Sequence, residues 1–282
     1  MSFAADYLAQ LEGFAALGPL PRVRNLHLPP QPAGDPGENK GEFCAVELDD
    51  GSLGLSYVLL DDALARLRHG GDGLGLAGAD ALALAGRYAG ADSFGRALGF
   101  ATANALTRCL YQRAGFVPPA SRDSIGEINP AAAEQIGMIG LFRPLLGRVL
   151  ASGAQLTVVE LKTELAGAAE GYRVTVDARE LESCTKVVST STLLLNDTLD
   201  RMLGHCRNAR WFAMVGPSAG CLPDALFARG VTLVGGNWIQ DGAGFVDALK
   251  RGASTSPFSV KSALTRDTYP GFATLLARAG RD

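Results

Sequence analysis

Gly216-Pro217-Ser218-Ala219-Gly220 is a formal Gly-x-Ser-x-Gly. At a strand-to-helix turn this pattern exposes a nucleophilic serine, which needs an acid and then a histidine later in the chain. The only histidines are His27, His69 and His205, all earlier than Ser218. Pro217 also restricts a torsion that such a turn needs free. The pattern therefore reads as a strand-end turn whose glycine lets something approach the backbone.

Glu160 offers different chemistry. It ends an apolar run, at the place where a dinucleotide site sets an acid on a ribose diol. The alternative is a solvated strand-end acid. One run earlier, the turn Gly140-Leu141-Phe142-Arg143-Pro144 has a single glycine and bulky neighbours, so no Gly-x-Gly-x-x-Gly receives a pyrophosphate there. That spacing occurs instead at Gly73, Gly75 and Gly78, after a helical stretch and without the strand that gives it meaning. Thr190, Ser191 and Thr192 are hydroxyls at the end of another apolar run, where they satisfy backbone or face a ligand. Asn196, Asp197 and Thr198 precede a periodic helix. They cap it, and the N–H groups they flank also attract anions.

For metals the sequence is thin. Cysteines 44, 109, 184, 206 and 221 form no Cys-x-x-Cys pair. They read as reduced thiols packed as small hydrophobes. A metal site would have to be assembled from distant segments, with Glu160 and Cys221 as candidates. Asn104 sits in the middle of an Ala- and Leu-rich helix, where a buried amide needs partners. It is satisfied by a neighbour or serves at a domain junction.

The elements that position these residues follow from periodicity. Phe3, Tyr7, Leu8, Leu11 and Phe14 give 2–17 one helical face. A strand is expected at 23–28, and a hairpin over 43–59 with Asp50-Gly51 as its turn. Helices fill 61–113, the clearest over 92–113 with Asp92 or Ser93 at its cap. Beyond a loop-rich stretch at 114–136 the pattern alternates. Strands end at Gly140, Glu160, Thr190, Gly216 and Gly236-Asn237, with helices after the first, third and fourth and a last helix at FVDALKRG. These strands lack alternation, as a parallel sheet covered on both faces requires. Open sheets of this kind bind ligands at the carboxyl ends of their strands.

The composition bounds function. The chain has 282 residues, 26 Lys+Arg against 29 Asp+Glu, and 7% aromatics. No basic face or stacking platform for nucleic acid follows from that. No apolar stretch is long enough to span a bilayer. The first residues lack a basic secretory n-region, so a cytoplasmic location is expected.

Several blocks together resemble a known family. They are IGMIGLFRPLL, VVELK, VVSTSTLLLNDTLDRML and MVGPSAGCLPDALFARGVTLVGGNWIQD, with GSLGLSYVLL and ALGFATANAL ahead of them. The family is labelled for heavy-metal chelation, is of unknown function, and pairs an enolase N-terminal-like domain with a Rossmann-like one. The resemblance runs from about residue 40 to about 252. It implies a ligand site in the cleft between the domains, formed by Asn104, Phe142, Glu160, Ser191, Thr192, Asn196, Thr198, Gly216, Pro217 and Ser218. It also implies a role in metal or metallocofactor metabolism. Ala219-Gly220-Cys221 departs from the small or polar residues usual after Gly-Pro-Ser, and leaves Cys221 as a soft metal ligand or as packing.

The expectation is thus an α+β domain over 1–120, enolase N-terminal-like, and a Rossmann-like α/β domain over 121–282. A small polar ligand, a metal ion or a metal chelate binds between them, on those residues together with Gly140 and Thr190. The alternatives are an enzyme using S-adenosylmethionine or NAD(P), and a non-catalytic scaffold. A homo-oligomer is compatible with either.

Overall fold

The computed structural model describes residues 2–30, 43–123 and 125–281. Helix α1 (Phe3–Ala15) is capped by Ser2, whose hydroxyl accepts from Ala5 N, and it buries Phe3, Tyr7, Leu11 and Phe14. Strands β1 (Val23–His27), β2 (Phe43–Leu48) and β3 (Leu53–Tyr57) form an antiparallel sheet in sequence order. Gly51 takes positive φ in the β2–β3 turn (+83°), as the Asp-Gly pair leads one to expect.

Helices α2 (Ala63–Gly70), α3 (Ala81–Ala85) and α4 (Ser93–Arg113) follow. Asp92 caps α4, its carboxylate accepting from Gly95 N at 2.9 Å. Most of α4 is buried, and the run from Ala97 to Thr107 is buried without a break. Small residues make this possible. A Cβ on Gly54 would collide with the α4 backbone at Ala101 and Ala105, so β3 lies on α4 backbone to backbone.

The second sheet is built from β4 (Gln135–Ile139), α5 (Arg143–Ala151), β5 (Gln155–Val159), β6 (Gly167–Ala169), β7 (Tyr172–Thr175), β8 (Lys186–Thr190), α6 (Leu199–His205), β9 (Trp211–Val215), α7 (Asp224–Ala228), β10 (Leu233–Ile239), α8 (Gly242–Lys250), β11 (Ser259–Thr265) and α9 (Phe272–Ala279). Its eight strands run β11-β10-β9-β8-β4-β5-β7-β6. The six from β10 to β7 are parallel, and β11 and β6 add antiparallel edges. The architecture is α/β preceded by α+β, as expected.

Three features depart from the sequence reading. β6 and β7 fill a stretch for which the sequence pattern gives no element, β11 and α9 follow the helix at FVDALKRG, and β10 runs on to Ile239. The missed strands are at or next to the sheet edge. There one face or both stay wet, and the apolar run that marks a buried strand is absent. All three residues of β6 are exposed.

The two sheets share one apolar cluster. It runs from α1 and α4 through Leu193, Leu194, Phe227, Val234 and Leu264. A second cluster covers the other face of the large sheet, around Ile125, Met138, Val149 and Val188. The segment after α4 is stitched to β11, with Ser121 N donating to Lys261 O and Ala263 N to Pro119 O. Among the described residues no helix is long and apolar enough to cross a membrane.

Candidate functional site

The turn after β9 meets the antiparallel sheet. Gly216 has φ +152°, and a Cβ there would strike the Ser191 hydroxyl. Ser218 is fully buried. Its hydroxyl accepts from Tyr57 N at the end of β3 (2.9 Å), and its carbonyl accepts from Asn104 Nδ2 (3.0 Å). The same Nδ2 donates to Leu55 O (2.8 Å), and Asn104 Oδ1 accepts from the Tyr7 hydroxyl (3.0 Å). Asn104 and Ser218 therefore clamp α1, β3, α4 and the β9–α7 turn together. What approaches the glycine-containing turn is the rest of the chain. Two of the three histidines, His27 and His205, are paired with Glu47 and Glu182.

The other expected residues line the carboxyl edge of the large sheet. Both Glu160 oxygens are engaged. Oε2 accepts from Leu141 N (3.0 Å), and Oε1 from Leu161 N (2.8 Å) and Lys162 N (3.4 Å). Gly140 (φ +85°) backs onto Thr190, with Phe142 beside it. The hydroxyls of Thr190 and Thr192 are 2.9 Å apart. Asn196 Oδ1 accepts from the Thr198 hydroxyl (2.5 Å) and from its N–H (3.3 Å). Thr198 stands at the N-cap of α6 but makes no side-chain cap bond. So Glu160, Gly140, Phe142, Thr190 and Thr192 are neighbours, Ser191 touches Gly216, and Ser218 meets Asn104. Asn196 and Thr198 flank Asp197, which pairs with Arg96 of α4 at 2.6 Å. Glu160 and Ser218 follow strands three positions apart in the sheet, about 14 Å at the usual strand spacing.

A cavity does open at the joint of the two sheets, with a volume of about 50 Å³. Asn104 and Pro217 are on its wall, with Arg108 and Tyr111 from α4, Asn237 and Trp238 from β10, Ser262 from β11, and Cys221. Positions 104, 108 and 111 are spaced i, i+4, i+7, so one helical stripe faces the cavity. That spacing was visible in the sequence, but Arg108 and Tyr111 pass there as ordinary helix residues.

The Arg108 guanidinium carbon lies 3.2 Å from the centre of the Trp238 ring. Desolvation lowers its pKa to about 10, opposed by the charge of Asp50. Arg108 makes no hydrogen bond or ion pair to a described residue. The side chains of Asn237 and Ser262 likewise make no hydrogen bond to a described residue. Tyr111 is buried, and its hydroxyl has no hydrogen-bond partner among the described residues. Burial raises that hydroxyl's pKa well above the usual tyrosine value.

The cysteines do not form a soft-metal site. All five are buried and free. Desolvation pushes the thiols of Cys44, Cys109, Cys206 and Cys221 up to about 12, and raises Cys184. A thiol binds metal as its thiolate. Among the described residues no group of three His, Cys, Asp or Glu side chains could hold a metal ion. The described side chains do not fit a heavy-metal ion held by three or more of them.

Fold and site together define an α/β protein with a small polar cavity where an antiparallel sheet meets a parallel-rich one. The family model DUF364, described as "Putative heavy-metal chelation", matches residues 125–266, half of the chain, and the chain belongs to this family. A second model with the same description, DUF4213, matches 41–107. Among solved structures, a DUF364-family protein of unknown function from Desulfitobacterium hafniense is similar at TM-score 0.65 and 20% identity. One from Pyrococcus horikoshii is similar at TM-score 0.67 and 17% identity. Each match covers 92% of this chain and 99% of the other. At these identities the likeness is one of fold. No curated protein matches.

Proposed function

We propose that this chain binds a small polar ligand, a metal chelate among the candidates, in the cavity between residues 1–120 and 121–282 taken as two domains. The observation that carries this reading is a cavity wall holding polar side chains, Arg108 and Asn237, that make no hydrogen bond to a described residue. Groups of this kind are costly to enclose, and a ligand or water relieves the cost. Of the residues expected from sequence, Asn104 and Pro217 belong to the wall. Gly140, Phe142, Glu160, Thr190, Ser191, Thr192, Asn196, Thr198, Gly216 and Ser218 are not on that wall and stand in strand-end loops of the large sheet.

An adenosine-type cofactor is the weaker reading. Glu160 already accepts three backbone N–H groups, which leaves little for a ribose. The cavity, at about 50 Å³, is far below the ~300–1,000 Å³ usual for larger ligands. The test is thermal shift and calorimetric titration against small acids, amides, metal salts and preformed metal chelates. The wild type is compared with Ser262→Leu, which fills the cavity. A saturable response in the wild type that Ser262→Leu loses supports the site. No response to any probe, or an identical response in both proteins, overturns it.

A further inference from the structure

We propose that the cavity recognises the carboxylate of a small organic acid through Arg108. The inference rests on the reading of the cavity as a ligand site, and it names the class of ligand.

Among the described residues Arg108 is the only charged one on the wall, and Asp50, whose charge acts on it, forms no ion pair with it. A half-buried guanidinium with no ion-pair partner among the described residues is partly desolvated, and an anion on it offsets that cost. Stacking on Trp238 fixes the plane of the group while the ring accepts none of the in-plane N–H bonds. Arg presents those donors as a rigid fork that matches a carboxylate's two oxygens. No described residue takes them. Asn237 and Ser262 add uncommitted polar groups beside the fork, one a possible donor to the same acid or to a second polar group on it. The volume of about 50 Å³ admits the carboxylate end of a small acid and leaves no room for a nucleotide.

This reading also reconciles the family's description with the side chains present. The chain lacks, among its described residues, a three-ligand cluster and a usable thiolate. Small polycarboxylic acids are themselves metal chelators. A site that grips such an acid handles a metal already held by the acid's own oxygens, with no protein ligand required.

The probes are sodium citrate, succinate and oxalate, the neutral succinamide, and Ni²⁺ or Cd²⁺ chloride alone, at matched ionic strength. Binding is followed by calorimetry and by fluorescence in a Trp211→Phe background, where Trp238 is the remaining tryptophan. At least one acid is expected to bind saturably and to change Trp238 emission, while succinamide and the bare metals do neither. Arg108→Gln weakens that acid by about tenfold or more, as loss of hydrogen bonds to a charged group implies. Arg108→Lys keeps the charge, loses the fork, and falls between; it also serves if Arg108→Gln fails to fold. If the acid binds Arg108→Gln and wild type alike, the proposal is wrong. If succinamide binds as well as succinate and is lost in Ser262→Leu, the cavity stands as a site and the carboxylate class falls. If no probe binds, both readings fall.

Discussion

Replacing Tyr111 with phenylalanine removes one oxygen and keeps a ring in van der Waals contact. The ring packs edge-on against Phe116 with centroids 5.1 Å apart, and lies 6.4 Å from Trp238. None of this needs the hydroxyl, which has no hydrogen-bond partner among the described residues and is closed off from solvent. A buried polar group in that state costs about 1–3 kcal/mol relative to one that is paired. Its removal relieves the penalty, so Tyr111→Phe is expected to be more stable than the wild type by roughly 1 kcal/mol. In a chain of this size that raises Tm by about 2–4 °C. The direction runs against the usual outcome, since most core substitutions destabilise. Burial holds the hydroxyl neutral well beyond the ordinary tyrosine pKa, so the gain is the same across the neutral pH range. Urea unfolding with an unchanged m-value and calorimetric Tm are the assays. A Tyr111→Phe protein less stable by about 1 kcal/mol would mean the hydroxyl has a partner, such as an enclosed water, and would refute the argument.

Other expectations follow from the same geometry. Asn104→Ala removes three hydrogen bonds that join α1, β3 and the β9–α7 turn, and should cost about 3 kcal/mol in urea unfolding; a loss under about 1 kcal/mol would show that the clamp is redundant. Desolvation lowers the pKa of His27, against the hydrogen bond it donates to Glu47, which raises it. The unfolded chain therefore takes up that proton first. The contribution from neutral His27 is complete above about pH 6.5 and declines as pH falls from there toward the lowered folded value. His27→Gln should flatten that part of the Tm–pH curve, and an unchanged slope would assign it to other groups. None of the five thiols should react with a thiol reagent in the native protein, and all five should react in urea. Rapid native labelling of Cys221 would show that the joint opens. Gly54→Val should prevent soluble folding, because its side chain meets the α4 backbone; a folded variant would show that β3 can lift away from the helix.

Much of the frame was legible in residue patterns. The apolar stripe of α1, the Asp50-Gly51 turn and the Asp92 cap are local, and all three are present in the fold. The five buried parallel strands announced themselves as apolar runs. β6, β7 and β11 did not, because a strand with a wet face has no such run. The strand-end residues were found by rule, since a parallel sheet gathers its loop ends along one edge. What each does there was not legible. Glu160 reads as a ribose acid in sequence, whereas in the fold it holds three N–H groups of its own loops. Ser218 reads as a nucleophile or a turn, and the fold gives its hydroxyl to the backbone of β3.

The sequence by itself determined the order and type of most elements, and the edge along which polar groups collect. Both depend on contacts between residues close in the chain and on which residues avoid water. Only the tertiary structure decided that Arg108 and the Tyr111 hydroxyl make no hydrogen bond to a described residue, and that they stand on the wall of a cavity beside Trp238. Whether a donor or acceptor is satisfied depends on atoms more than a hundred residues away, and no local pattern encodes that.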